Sequence, residues 1–260
     1  MRDLSIVIPT CQRAELLDRC ILSIERNTHC DYEVVVVDGA STDGTSMILE
    51  QARQRIGERL VAVHEEKREG FVRGINKGFR AASGRFVMWL NDDARPLGAS
   101  LDQALEQLNA SGPEVGLVAL FHAWHGLKNV AYETRLGNRL YRILHVRGTL
   151  YANFGLGRRE TFAKLNYFDE RFFVQAADPD FSLKVWNAGM KVEPAYLTAV
   201  DHDEHVDARR TADIARIQQD NELLLGKWNL PVTSVGHSEF DPDHPCTLKG
   251  PREIPAAMAG

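Results

Sequence analysis

Three polar clusters in this 260-residue sequence fall where an apolar run gives out. They are Thr10 after Leu4-Ser5-Ile6-Val7-Ile8-Pro9, Asp38 after Glu33-Val34-Val35-Val36-Val37, and Asn91-Asp92-Asp93 after Phe86-Val87-Met88-Trp89-Leu90. If the runs are parallel strands, their carboxyl ends open on one crevice, which is where open α/β sheets bind ligands. Adjacent aspartates on one loop repel unless a positive group lies between them. In a phosphate-handling site that group is a hard divalent cation with oxygen ligands, Mg²⁺ or Mn²⁺.

The elements that must carry these clusters read as alternating strand and helix. Leu16, Leu17, Cys20, Ile21 and Ile24 recur at helical spacing after the first strand, and Met47, Ile48, Ala52 and Ile56 after the second. Leu60 to Val63 is a third strand, Phe71, Ile75, Phe79 and Ala82 mark a third helix, and Phe86 to Leu90 form a fourth strand. Leu101, Ala104, Leu105 and Leu108 predict a helix that stops at Ser111-Gly112-Pro113, ahead of a strand from Val115 to Phe121. A βαβ series with nearly continuous apolar strands means a mostly parallel sheet buried on both faces. Residues 1–112 read as a nucleotide-binding half and 113–230 as an acceptor-binding, catalytic half. Within the second half, 125–150 has no clear period and reads as a connecting segment. Arg159 to Leu165 predicts a short helix, Phe181, Val185 and Trp186 another closed by Gly189, and Thr211 to Trp228 a last one. Residues 231–260, with Pro231, Pro242, Pro245, Pro251 and Pro255, read as an extended or disordered tail.

Composition narrows the function classes. With 44% hydrophobic and 26% charged residues the chain is ordinary for a globular protein, and a net charge of -5 argues against a nucleic-acid partner. Cys11, Cys20, Cys30 and Cys246 form no C-x-x-C pair, which fits reduced thiols in a cytoplasmic protein. No apolar run nears the ~18 residues a spanning helix needs, so membrane contact is expected to be peripheral at most. Pro9-Thr10-Cys11-Gln12-Arg13 stands where a dinucleotide fold needs its glycine fingerprint, and neither a P-loop nor a Gly-x-Ser-x-Gly elbow is present.

Four ordered motifs carry a resemblance. Ile6-Val7-Ile8-Pro9-Thr10, Val37-Asp38-Gly39-Ala40-Ser41-Thr42-Asp43-Gly44-Thr45, Gly74-Ile75-Asn76-Lys77-Gly78 and Leu90-Asn91-Asp92-Asp93 together resemble the N-terminal half of a family 2 glycosyltransferase with the GT-A fold. Gly157 to Phe162 and Phe168 to Phe173 are similar to the family's stretch ahead of its catalytic carboxylate, so the likeness runs over roughly residues 3–190. It implies a single GT-A domain and an inverting hexosyl transfer in glycan biosynthesis. The donor would be a nucleoside diphosphate-sugar of UDP or dTDP type, and the acceptor a hydroxyl on a glycan, lipid-linked glycan or small molecule.

The resemblance also assigns roles. Pro9, Thr10, Gln12 and Arg13 would lie along the nucleotide, Asp38 would accept from a pyrimidine N–H, and Arg73 and Asn76 would face the same crevice. Asp38 and Asp43 could instead cap the following helix. Asn91-Asp92-Asp93 matches the Asp-x-Asp element, with Asn91 replacing its first aspartate; Asp93 would hold Mn²⁺ or Mg²⁺, with Asp92 nearer the sugar or ribose. The family's Glu-Asp base pair reads Ala177-Asp178, so Asp178 would be the base, with Asp180 as competitor. His202 or His205 would add a metal ligand, His202 being preferred because it follows the strand Leu197 to Val200. Two other classes remain open, a sugar nucleotidyltransferase and a nucleotide-sugar-binding module without turnover; released pyrophosphate, or binding with no transfer, would identify them.

Overall fold

The structure, a computed structural model, describes residues 2–126, 129–202, 207–230 and 252–253. The first half runs β1 (Leu4–Thr10), α1 (Ala14–Asn27), β2 (Tyr32–Asp38), α2 (Thr45–Ile56), β3 (Leu60–His64), α3 (Phe71–Ala81), β4 (Phe86–Trp89), β5 (Ala94–Pro96) and α4 (Ser100–Ala110). The second half continues with β6 (Val115–Ala123), β7 (Val130–Leu136), β8 (Arg139–Val146), β9 (Thr149–Tyr151), β10 (Gly155–Arg158), α5 (Arg159–Lys164) and α6 (Ala177–Asn187). It ends with β11 (Lys191–His202), α7 (Ala208–Ala212), α8 (Ile214–Lys227) and a two-residue β12 (Arg252–Glu253).

One sheet takes all the strands. Its main path is β12-β7-β8-β6-β10-β4-β1-β2-β3, with β11 beside β6 and β5. The neighbours β4, β1, β2 and β3 are parallel. Beyond β4 the pairing mixes, because β10 runs antiparallel between β4 and β6 while β11 is parallel to β6. Successive residues of a strand point to opposite faces. Leu4, Ile6 and Ile8 of β1 accordingly pack with α1, α2 and α4, whereas Val7 packs with α3 and the aromatic residues of the second half. Gly78 lets α3 settle onto β1, for a Cβ there would lie 2.1 Å from Val7 Cγ1.

The second layer is aromatic. Phe79, Trp89, Phe162, Phe168 and Phe181 are all 0–1% exposed, with ring centroids 4.7–6.5 Å apart. Such pairs add ~0.5–1.5 kcal/mol each beyond the area they bury. They come from both halves of the chain.

Four expectations need correction. In α2 the inward positions are Leu49, Ala52 and Ile56, while Met47 is 66% exposed, because the helix begins at Thr45 and its phase turns Met47 outward. The segment 125–150 contains β7 and β8, an antiparallel hairpin joined through Gly137 at φ 59°; six successive residues of β8, Tyr141 to Val146, are buried with the polar Arg142 and His145 among them, so the sequence shows no apolar period. The helix α6 starts at Ala177, ahead of Phe181, so Asp178 and Asp180 both lie in its first turn. The last helical stretch is broken at Asp213 into α7 and α8. Residues 231–251 and 254–260 of the expected tail lie outside the described residues.

Candidate functional site

The parallel strands end as expected. Thr10 closes β1, Asp38 pairs with it in register at the end of β2, and Asn91-Asp92-Asp93 forms the turn between β4 and β5. The His202 imidazole arrives from the far side, since β11 runs antiparallel to β5 and sets His202 opposite Ala94, the residue after Asp93. A pocket of about 190 Å³ opens here, and Pro9, Arg13, Asn91, Asp92, Asp93, Asp178 and His202 all line it.

The two aspartates are divided between different partners. Asp92 Oδ2 accepts from Thr10 Oγ1 at 2.8 Å, and Asp92 Oδ1 lies 3.1 Å from Arg13 Nη1. The same Nη1 donates to Asp93 Oδ2 at 2.8 Å. Among the described residues nothing donates a hydrogen bond to the buried Asp93 Oδ1, which lies 3.3 Å from His202 Nε2. Asn91 Nδ2 is also 3.3 Å from that nitrogen. Burial alone would raise the Asp93 carboxyl, but His202 and Arg13 outweigh it and hold it below the ordinary carboxylate value.

This donor set fits a divalent cation. An orphaned carboxylate oxygen facing an imidazole nitrogen provides two ligands, and cations such as Mg²⁺ commonly take one or two protein ligands and fill the rest from phosphate and water. His205 lies outside the described residues.

Asp178 stands across the pocket on the first turn of α6. Its Oδ1 is buried with no hydrogen-bond partner, and burial, outweighing the nearby Trp89 indole, pushes the carboxyl up to about 8. With Ala177 beside it instead of a glutamate, the group is still brought near neutrality by burial. Asp180 is a different kind of residue: 0% exposed, it accepts from Trp228 Nε1 at 2.8 Å and pairs with Lys227 Nζ, also at 2.8 Å. It ties α6 to the end of α8.

The remaining candidates separate. Asp38 is 3% exposed and faces its own loop, accepting from Ser41 N at 3.1 Å with His64 Nδ1 3.4 Å away. Asp43 does the capping, accepting from Thr45 N at the start of α2 and from Ala14 N at the start of α1, both at 3.0 Å. The Gln12 side chain is taken up by Thr42, donating to Oγ1 and accepting from N, so it locks two loops together. Asn76 does not face the crevice; it is fully buried, and its amide bonds to both the N–H and C=O of Phe168 and to Glu170. Arg73 is exposed and lines a separate cleft with Lys67, Phe173 and Arg216, because the phase of α3 turns it away from the strand ends.

Two residues that shape the candidate site escape sequence reasoning. Arg68, in the loop between β3 and α3, pairs with Asp213 and lines both the pocket of Asp92 and Asp93 and the adjoining hollow by Pro9, Thr10 and Gly39. Asp220 of α8 is 3% exposed and accepts from three successive amides, Phe173, Val174 and Gln175, at 2.8–2.9 Å. It thereby fixes the loop that leads into Asp178. Gly70 fits the other side of that loop at φ 98°, where a Cβ would lie 2.6 Å from the Phe173 ring. Neither acidic residue nor arginine stands in a motif, and no signal in the sequence marks them.

Comparisons with known proteins agree with this geometry. Residues 5–163 match the model of glycosyl transferase family 2. A PGL/p-HBAD biosynthesis glycosyltransferase of Mycobacterium bovis is 39% identical over 89 residues, 34% of either chain. The putative teichuronic acid biosynthesis glycosyltransferase TuaG of Bacillus subtilis is 31% identical over 102 residues, 39% of this chain and 40% of that one. The matched stretch thus spans about a third of the length of the first of these relatives. Among solved structures, the mannosyltransferase PcManGT of Pyrobaculum calidifontis, in complex with GDP-Man and Mn²⁺, superposes with a TM-score of 0.67 at 21% identity. That superposition covers 88% of this chain and 66% of the other. S. aureus TarS 1-349 in complex with UDP gives 0.61 at 18% identity, covering 87% and 71%. These likenesses show the GT-A fold.

Proposed function

The chain belongs to glycosyl transferase family 2, and from that premise we propose that it transfers a sugar from a nucleoside diphosphate-sugar to an acceptor hydroxyl, with inversion at the anomeric carbon. The observation that carries the reading is a pocket lined at once by Asp93 and His202 and by Asp178, whose carboxyl lies near neutrality. Asp93 Oδ1 and His202 Nε2 would hold Mn²⁺ or Mg²⁺, which would neutralise the leaving diphosphate. Thr10 and Arg13 steady Asp92 beside the sugar or ribose, and Arg68 stands where it can meet the diphosphate or base. Asp178 takes the proton from the acceptor hydroxyl as that oxygen bonds to the anomeric carbon and the bond to diphosphate breaks.

The donor in this reading is of UDP or dTDP type, with Asp38 turning from Ser41 to a pyrimidine N–H. Solved relatives in complex with GDP-Man and with UDP support a nucleoside diphosphate in general. Calorimetry with UDP, dTDP and GDP, each with Mn²⁺, Mg²⁺ or chelator, tests both parts. Binding should be tightest for the pyrimidine nucleotides with metal, and Asp93→Ala should abolish the gain from metal. Equal affinity with metal and with chelator would refute the metal assignment, and preference for GDP would refute the pyrimidine one.

A further inference from the structure

The Arg13 guanidinium is the cation most firmly built into the site. Its Nη1 lies between Asp92 Oδ1 and Asp93 Oδ2, its Nε donates to Asp207 Oδ2 at 2.8 Å, and the side chain is 6% exposed. Asp93 is therefore shared, with Oδ2 on Arg13 and Oδ1 toward His202. A dication between Oδ1 and His202 would bind the same carboxylate as a guanidinium that cannot give up its proton. Like charges so close repel strongly where water is largely excluded. The carboxylates are also already partly neutralised, so bare metal gains little from them.

A diphosphate reverses this balance. It brings further negative charge, and its paired oxygens match the guanidinium fork. We propose that Arg13 makes metal entry conditional on the donor: held between Asp92 and Asp93 it suppresses binding of metal alone, and the donor's diphosphate relieves that suppression by lying against it. The inference rests on the metal reading above. Because linkage is reciprocal, the factor by which nucleotide tightens metal must equal the factor by which metal tightens nucleotide.

Titration of Mn²⁺ into the full chain, followed by the electron paramagnetic resonance signal of the free ion, tests it with UDP and GDP as probes. Wild type should bind Mn²⁺ weakly alone and at least ~10-fold more tightly with nucleotide, within the usual span of coupling between sites. Arg13→Gln should bind Mn²⁺ alone at least ~10-fold more tightly than wild type and gain less from nucleotide, whereas Arg13→Lys, which keeps the charge, should follow wild type. Melting gives a second readout: Mn²⁺ without nucleotide should raise the melting temperature of Arg13→Gln but not of wild type. Equal Mn²⁺ affinity of wild type and Arg13→Gln without nucleotide overturns the proposal. So does a wild type that binds Mn²⁺ as well alone as with nucleotide, whatever the variants do. No Mn²⁺ binding in any condition overturns the metal reading and this inference together.

Discussion

Asp178 and Asp180 lie two residues apart on one helix turn and have opposite surroundings. Among the described residues Asp178 has no cation partner and its Oδ1 no hydrogen bond, so burial raises its carboxyl to about 8; Asp180 has Lys227 and the Trp228 indole. A general base must be ionised to accept a proton, so transfer should climb with pH through about 8 and level off above it. Asp178→Asn should leave donor binding intact and lower transfer by roughly 10²–10⁴-fold. The same substitution should alter stability in a defined direction. With its folded value raised, Asp178 retains its proton in the native state between about pH 4 and 8 while the unfolded chain has released it, so its contribution to stability falls as pH rises through that window. Asparagine mimics the protonated form, and Asp178→Asn should unfold ~1–3 kcal/mol later than wild type in urea at pH 8, with the gap closing toward pH 4. Asp180→Asn should do the reverse, lowering stability while leaving the pH profile of transfer in place, since it weakens a buried ion pair. A pH-rate profile for Asp178→Asn that coincides with wild type would remove this residue from the chemistry.

Elements matter here through the loop that leads into α6. Residues 173–175 are clasped by the Asp220 carboxylate from α8 and by the start of α3, where Val72 N donates to Phe173 O at 3.3 Å. Ala176 then adopts φ 62° to begin the helix, so the direction in which Asp178 leaves the backbone depends on that loop being held. Hydrogen bonds to a charged group contribute ~1.5–3 kcal/mol each when both partners are buried. Replacing Asp220 by alanine should therefore lower the melting temperature. Asp220→Asn, which keeps one acceptor oxygen, should fold but transfer sugar roughly 10- to 100-fold more slowly, as a slight misplacement of a reacting group does. Its affinity for nucleoside diphosphate should be unchanged, because Asp220 does not line the pocket of Asp93. An equal loss in both would mean that the helix supports the whole site instead of Asp178 alone.

Across the whole molecule the two halves share one sheet and one aromatic layer. The strand β10, from residues 155–158, lies between β4 and β6, and Phe162, Phe168 and Phe181 cover Phe79 and Trp89. Cutting the chain at 112 would expose that layer and leave β4 as a bare edge. The fragment 1–112 should therefore keep far-ultraviolet circular dichroism but lose the near-ultraviolet signal and bind ANS, whereas the full chain should unfold in a single transition seen alike by both signals. A fragment with sharp near-ultraviolet bands would show that residues 1–112 fold alone. No helix among the described residues is long and apolar enough to cross a membrane.

The sequence by itself determined where the parallel strands stop, and with that Thr10, Asp38 and Asn91-Asp92-Asp93 at one edge. A buried strand needs an unbroken apolar run, and its end is a local event that neighbouring residues announce. The same local patterning marked most helices. It did not reveal the hairpin of 130–146, where polar residues such as Arg142 and His145 are buried along with apolar ones, nor the phase that turns Met47 and Arg73 outward. Partners far apart in the chain were beyond it as well. Asn76 meets Phe168 across 92 residues, Arg68 meets Asp213 across 145, and Asp220 meets Phe173 across 47. Only packing of the second half on the first decides such pairings, because each depends on two surfaces whose approach neither segment encodes alone. The same holds for the charge on Asp178: its residue type was legible, but the burial that tunes it belongs to the assembled fold.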